Sequence, residues 1–382
     1  MTQLTVILTL RGRHLHTLRW MWHANRVKLP FHVIIADGEV HAAVERVLSD
    51  PANFPNLSYE YHRYADHSFT DFYRKCIAAV AKVKTQYVIL SDNDDFLFVA
   101  GILKSIAYLD SAPEYVCAGG KIPNFTVDTP PGRPANIVGV ITDLRFGYLQ
   151  GVHDIVSPLA SERVLDVLNR YHVTYYHVFR TSALRLIFEE VENLNFTDLT
   201  IHEYFLAART ATLGKVKSDP SVISYIRQTG TSMLSTYYKH DWVHHFLHTE
   251  LPRDCRKMAE AIAGEVERLE GRNRDEFIEL VLDAHATRLR HMLGHTMMRH
   301  RFPRLFRIKR RLLWLGNFRI CPSRISQYVR KLRFWSALDR DCPDKKLQIQ
   351  YRMELNGIAV SLKGESFLTF VEQSAPELLG SN

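Results

Sequence analysis

The sequence predicts an α/β fold, a mostly parallel sheet with flanking helices, followed by a mainly α-helical carboxyl-terminal region. Three observations carry that prediction. Short apolar, β-branched runs recur through the first hundred or so residues with helical-period segments between them, the pattern of parallel strands joined by helical crossovers. Charged residues stand just after those runs, at Arg11, Asp37 and Asp92, where the ligands of such sheets bind. Beyond residue 236 the composition turns to amphipathic helices rich in His, Arg and Glu.

Taken in order, residues 4–10 are a continuous aliphatic and β-branched run ended by Arg11-Gly12-Arg13, as a buried first strand requires. Leu15, Leu18, Met21 and Trp22 then recur at helical spacing, and Pro30 closes that helix before a second buried strand over 31–36, which ends at Asp37-Gly38. A short helix over 42–48 and an alternating strand over 57–62 follow. Ser68 or Thr70 caps a helix through Ile77 and Val83. It feeds Tyr87-Val88-Ile89-Leu90-Ser91-Asp92-Asn93-Asp94-Asp95, so residues 4–97 read β-α-β-α-β-α-β.

After Leu97 the spacing predicts a helix through Leu103 and Leu109 and a strand over 115–120. The Pro-, Gly- and Thr-rich stretch 123–134 reads as a loop. A strand over 175–180, a helix over 183–188, a helix over 199–211 and a last strand over 222–226 complete a first domain, placed at 1–235. Residues 236–382 form the second, helical and basic, with helices over 258–269 and 277–291.

With 382 residues, 46% hydrophobic and 24% charged, the chain has the make-up of a folded protein with a large core, not of a disordered one. The net charge is +8, with basic residues dense between Arg299 and Arg340, which points to an anionic partner such as phosphate or a membrane surface. The five cysteines are odd in number and widely spread, with no C-x-x-C pair, and read as reduced thiols. No basic leader and no run of roughly 18 apolar residues occurs. The expected location is therefore the cytoplasm.

The run that ends in Asp92-Asn93-Asp94-Asp95 places three carboxylates within four positions at the end of a buried strand. Such a cluster stays ionised only around a positive charge or many donors. Oxygen ligands of this kind suit Mg²⁺ or Mn²⁺, and Asp92 and Asp94, at i and i+2, point the same way if the strand pairing persists.

Taken together, the strand 6–11, the strand end Ile34-Ile35-Ala36-Asp37-Gly38 and the helix 73–80 before Asp92-Asn93-Asp94-Asp95 resemble the GT-A glycosyltransferases, a Rossmann-like fold, and particularly the inverting family 2 type. The resemblance covers roughly residues 4–235. It implies that Thr9, Arg11 and Asp37 hold the nucleotide base and ribose, and that Lys75, Asp92 and Asn93 lie along the donor. Asp94 is then the most direct metal ligand, with Asp92 and Asp95 beside it. Cys76 stands where the family usually has glycine. His202-Glu203-Tyr204-Phe205-Leu206-Ala207-Ala208-Arg209, followed by Gly214, resembles the family's Glu-Asp-x-x-Leu-x-x-Arg pattern. The resemblance thereby makes Glu203 the general base, with Asp198 competing. Arg227, in Tyr225-Ile226-Arg227-Gln228, takes the place that faces the donor diphosphate. A downstream histidine serves as a further metal ligand in some members, and His240 is the one named here.

The implied activity is metal-dependent, inverting transfer of a sugar from a nucleotide-sugar donor to a hydroxyl of a polysaccharide precursor, lipid-linked sugar or protein. Two rivals stay open. One is a nucleic-acid-binding protein using the basic region, although neither a recognition module nor an aromatic-interleaved basic surface occurs and no nucleic-acid partner is expected. The other is a nucleotidyltransferase or phosphohydrolase built on the same acids. Residues 299–319 mix arginines with Phe, Leu and Trp and read as a peripheral membrane segment or an interdomain helix.

Overall fold

The computed structural model describes residues 3–39, 42–146, 152–171, 173–229, 250–301 and 323–379. The opening half-sheet forms as its pattern predicts: β1 (Leu4–Leu10), α1 (His14–Val27), β2 (His32–Asp37), α2 (Ala42–Ser49), β3 (Tyr59–Arg63), α3 (Phe69–Lys82) and β4 (Tyr87–Asp92). These strands pair in parallel in the order β3-β2-β1-β4. Every residue of β1 is buried, because helices cover both faces of the sheet and leave no solvent side for polar alternation. The register sets Thr9 beside Ala36 and Asp92, so the strand ends form one rim. Ser68 is the cap of α3, its hydroxyl accepting from the Asp71 amide.

The chain continues through β5 (Phe96–Leu97), α4 (Val99–Ser111), β6 (Tyr115–Gly120), β7 (Pro123–Asp128), β8 (Val140–Phe146), α5 (Ala160–Asn169), β9 (Val178–Arg180), α6 (Thr181–Leu194), α7 (Leu199–Leu213), β10 (Lys215–Asp219) and β11 (Tyr225–Gln228). The main sheet runs β10-β6-β9-β4-β1-β2-β3, with β9 antiparallel to both neighbours and the other pairings parallel. A second sheet, β5-β11-β7-β8, lies beside it.

Two expectations are corrected here. The first half of the stretch 123–134 is a strand, not a loop. Its Pro123, Phe125 and Val127 alternate inward, and proline is tolerated at the first strand position. Pairing with β8 and β11 supplies the hydrogen bonds that local composition could not reveal. The last strand starts three residues later than 222, at Tyr225, and lies in the small sheet.

The carboxyl-terminal residues are helical as expected: α8 (Leu251–Glu270), α9 (Arg274–Arg301), α10 (Ser323–Asp341), α11 (Lys345–Lys363) and α12 (Glu365–Ser374). Helices α8 and α9 bury Met258, Ile262, Phe277 and Val281 in one core with Phe205 and Ala208 of α7. Helices α10 and α11 place Leu338, Tyr351 and Leu355 against Phe96, Phe125 and Ile226 of the small sheet. Helix α12 sets Phe367 and Val371 into the core that holds Leu18 and Val44. These helices thus complete three cores of the α/β part. No helix among the described residues is long and apolar enough to cross a membrane. The stretch 299–319 lies outside the described residues beyond position 301.

Candidate active site

The acidic turn is tight. β4 ends at Asp92 and β5 starts at Phe96, and this reversal, not a continued strand, brings together one carboxylate oxygen from each of Asp92, Asp94 and Asp95, all within 4.8 Å of one another. Asn93 points away from them. It is fully buried, and its amide donates to the Gly12 carbonyl (3.2 Å) and the Thr17 hydroxyl (2.9 Å). That pins the turn to the β1–α1 loop, so Asn93 supports the turn where the resemblance placed it along the donor.

Arginines brace the acids. Arg13, with a left-handed φ of 56°, donates to the Asp94 carboxylate at 2.5 Å. Arg19, wholly buried, donates to the Asp94 carbonyl (3.0 Å) and the Gln228 side-chain oxygen (2.8 Å). The Gln228 amide in turn donates to Asp95 at 2.7 Å, which ties the turn to β11. On the other flank the Tyr176 hydroxyl donates to Asp92 (2.9 Å), and the Asp92 amide donates to the Tyr225 hydroxyl (2.9 Å). The two rings stack at 4.2 Å, and the Arg227 guanidinium lies over Tyr176 at 5.3 Å.

Burial pushes the pKa values of Asp92 and Asp95 up, and the Asp94 charge pushes them further, against the pull of Arg227 on both and of Arg13 on Asp92. Three carboxylates held this close form a donor set that fits a hard divalent cation such as Mg²⁺ or Mn²⁺.

The other strand ends build the floor of the same rim. The Thr9 hydroxyl donates to the Ser91 carbonyl at 3.5 Å. Asp37 is fully buried and accepts from the Tyr61 hydroxyl (2.6 Å) and the Glu39 amide (2.6 Å), and burial raises its pKa. Lys75 is also buried. Its ammonium reaches the Leu10 carbonyl (2.8 Å) and pairs with Asp66, to which Arg11 also donates at 3.4 Å. A side chain at position 38 would collide with Asp66, so Gly38 is what lets this acid close against the end of β2. Sequence reasoning missed Asp66, whose signal was its place just past the end of a parallel strand.

Glu203 approaches from α7. Asp198 is the N-cap of that helix, accepting from the Thr200 (2.8 Å) and Ile201 (3.1 Å) amides. The cap itself is held by Asp254 of α8, which accepts from the Thr197 amide (2.6 Å), the Thr197 hydroxyl (2.9 Å) and the Asp198 amide (3.0 Å). Further along α7, Glu203 accepts from the Tyr171 hydroxyl at 3.4 Å. Burial pushes its pKa up to about 7, opposed by Arg227 and reinforced by Asp92 and Asp198. Glu203 thus feels the charges of Asp92 and Arg227, while its hydrogen bond is to Tyr171.

Its neighbour His202 faces the core instead, stacked on Tyr73 at 4.3 Å and held neutral by burial, which pushes its pKa down to about 3. His240 lies outside the described residues. Arg13, Arg19, Tyr171, Tyr176 and Asp254 were not foreseen, since each acts through contacts far away in sequence.

No protein-family model matches this chain, and no curated protein matches it. Similar solved structures include S. aureus TarS 1-349 in complex with UDP, at 11% identity and TM-score 0.49, covering 95% of this chain and 91% of that one. The same protein in complex with UDP-GlcNAc aligns over the same shares at 11% identity and TM-score 0.48. At such low identities and TM-scores the likeness assigns no family, and the chemical reading of this chain rests on the geometry of its own site.

Proposed function

We propose that the protein is a glycosyltransferase that moves a sugar from a nucleotide-sugar donor to a hydroxyl acceptor with inversion. The observation that carries this reading is Glu203, a carboxyl whose pKa is pushed up to about 7 and which feels the charges of Arg227 and of Asp92, one of three clustered acids. A base poised near neutrality beside a cation-binding cluster suits hydroxyl deprotonation coupled to departure of a diphosphate.

Asp92, Asp94 and Asp95 would hold Mg²⁺ or Mn²⁺, which when bound neutralises the leaving diphosphate. Arg227, fixed over Tyr176, offers paired N–H donors to phosphate oxygens. The rim of Thr9, Arg11, Asp37, Asp66 and Lys75 receives the nucleoside. Glu203 takes the proton of the acceptor hydroxyl as the new bond from that oxygen to the anomeric carbon forms. The bond from that carbon to the phosphate oxygen breaks on the opposite face, and the nucleoside diphosphate leaves with the electron pair. Tyr171 donates to one oxygen of Glu203, which leaves the second for the acceptor. Asp198, committed to capping α7, is the poorer base.

The test is a thermal-shift screen of the full chain against UDP, GDP, CDP, their sugar conjugates and ATP, with Mn²⁺, Mg²⁺ or EDTA. A bound nucleotide at about a hundred times its Kd adds roughly 2.7 kcal/mol. The expected result is stabilisation by one nucleoside diphosphate only with metal, abolished in Asp94→Ala. Release of pyrophosphate or inorganic phosphate in turnover would replace this reading with a nucleotidyltransferase or a phosphohydrolase.

A further inference from the structure

Helix α11 has two apolar faces. Leu347, Tyr351, Leu355, Ile358 and Leu362 are buried toward the small sheet. At 100° per residue, Ile349, Met353 and Val360 fall on the opposite side, and they are 57%, 67% and 49% exposed. A single exposed aliphatic is ordinary, but an aligned row of three is the mark of an interaction surface. Beside the row, a cavity of about 420 Å³ opens between α11 and the end of α1, walled by Trp20, Val27, Leu97, Val99 and Met353.

The exposed charges around this surface are mostly cations, with the exposed acids Asp344 and Glu365 standing at the two ends of α11. α1 contains no acid, and the exposed residues at its end include Arg26 and Lys28. The single acid of α11, Glu354, turns inward and accepts from the Ala100 amide at 2.9 Å. The exposed charges of α11 are Lys345, Lys346 and Lys363. Arg26 also locks the two helices together, donating to the Gly357 carbonyl (2.5 Å) and the Ser361 hydroxyl (2.9 Å), so the face is presented as one rigid unit.

An apolar row with Lys345, Lys346 and Lys363 beside it matches the boundary of an anionic bilayer, with phosphates above and acyl chains below. We propose that the α1–α11 face docks on the surface of an anionic phospholipid bilayer. Ile349, Met353 and Val360 enter the acyl boundary, and Lys345, Lys346 and Lys363 meet the headgroup phosphates. This surface is separate from the acidic cleft and does not depend on the transfer chemistry.

The test is co-sedimentation of the full chain with vesicles of phosphatidylglycerol and phosphatidylcholine, against phosphatidylcholine alone, at low and high salt. The wild type is expected to bind the anionic vesicles only, and less at high salt, where the Debye length shrinks to about 3 Å at 1 M. The triple variant Ile349→Ser/Met353→Ser/Val360→Ser is expected to lose about tenfold or more in partitioning. Lys345→Gln/Lys346→Gln/Lys363→Gln is expected to lose a similar factor, roughly tenfold. Both keep the wild-type thermal melt, because the replaced side chains are exposed. Wild-type partitioning in the serine variant would overturn the proposal and move the contact to 299–319. Failure of the wild type to bind anionic vesicles would overturn it outright.

Discussion

Arg13 reaches across 81 residues of sequence to the carboxylate of Asp94, at 2.5 Å. Its cation occupies the side of the acid cluster that a divalent metal ion would share. Asp94 is 4% exposed, so Arg13→Ala leaves a buried carboxylate short of its partner. The expected cost is about 1–3 kcal/mol in urea denaturation without metal. Added Mn²⁺ is expected to recover most of it, and calorimetry should show tighter Mn²⁺ binding than in the wild type. Unchanged Mn²⁺ affinity would mean that Arg13 and the ion do not compete for Asp94.

The raised pKa of Glu203 sets a pH dependence. The base acts when ionised, so kcat/KM for transfer is expected to rise with pH and level off above about 7. Stability runs the other way. A carboxyl raised from 4.5 to about 7 by folding favours the native state below 4.5, and that contribution fades as pH climbs to 7. Glu203→Gln therefore loses transfer by roughly a hundredfold to ten-thousandfold while keeping donor binding, and it flattens this part of the stability profile. Retained transfer in that variant would return Asp198 to consideration.

Tyr171 sharpens the same profile. Its hydroxyl stabilises the ionised form of Glu203, and losing a hydrogen bond worth about 0.5–1.5 kcal/mol moves a pKa by up to roughly one unit. In Tyr171→Phe the inflection of the pH–rate curve is expected to move upward, with donor affinity unchanged. A profile that stays in place would show that the contact is idle.

Asp254 links a carboxyl-terminal helix to the base. It is fully buried and accepts three hydrogen bonds from Thr197 and Asp198. Asp254→Ala strands those donors, and a loss of about 2–4 kcal/mol in denaturant unfolding is expected. Transfer should fall more than donor binding, because the disturbed turn is the start of the helix that carries Glu203. Equal losses in both would place the disturbance elsewhere.

Much of this architecture is local and therefore readable in one dimension. The buried strands β1, β2 and β4 are continuous apolar runs because both faces of their sheet are covered. The acids that follow them stand where parallel strands end, which is why Asp37 and the Asp92–Asp95 cluster were legible. The cap of α3 by Ser68 depends on three neighbouring residues only.

Other features exist only once the chain has closed. Strand β7 looks like a loop until β8 and β11 pair with it. Asp66 becomes part of the rim only because α3 swings Lys75 back to it. His202 and Glu203 are adjacent polar residues on one helix. A turn of about 100° per residue separates their faces, and packing against Tyr73 and Phe188 holds His202 in the core while Glu203 meets the Tyr171 hydroxyl. The sequence by itself determined the parallel scaffold and the acids at its strand ends, because periodicity and strand position are short-range. The partners that set their charge, Arg13, Tyr176, Tyr171 and Asp254, were decided by the tertiary structure alone, since each hydrogen bond joins segments that only folding brings together.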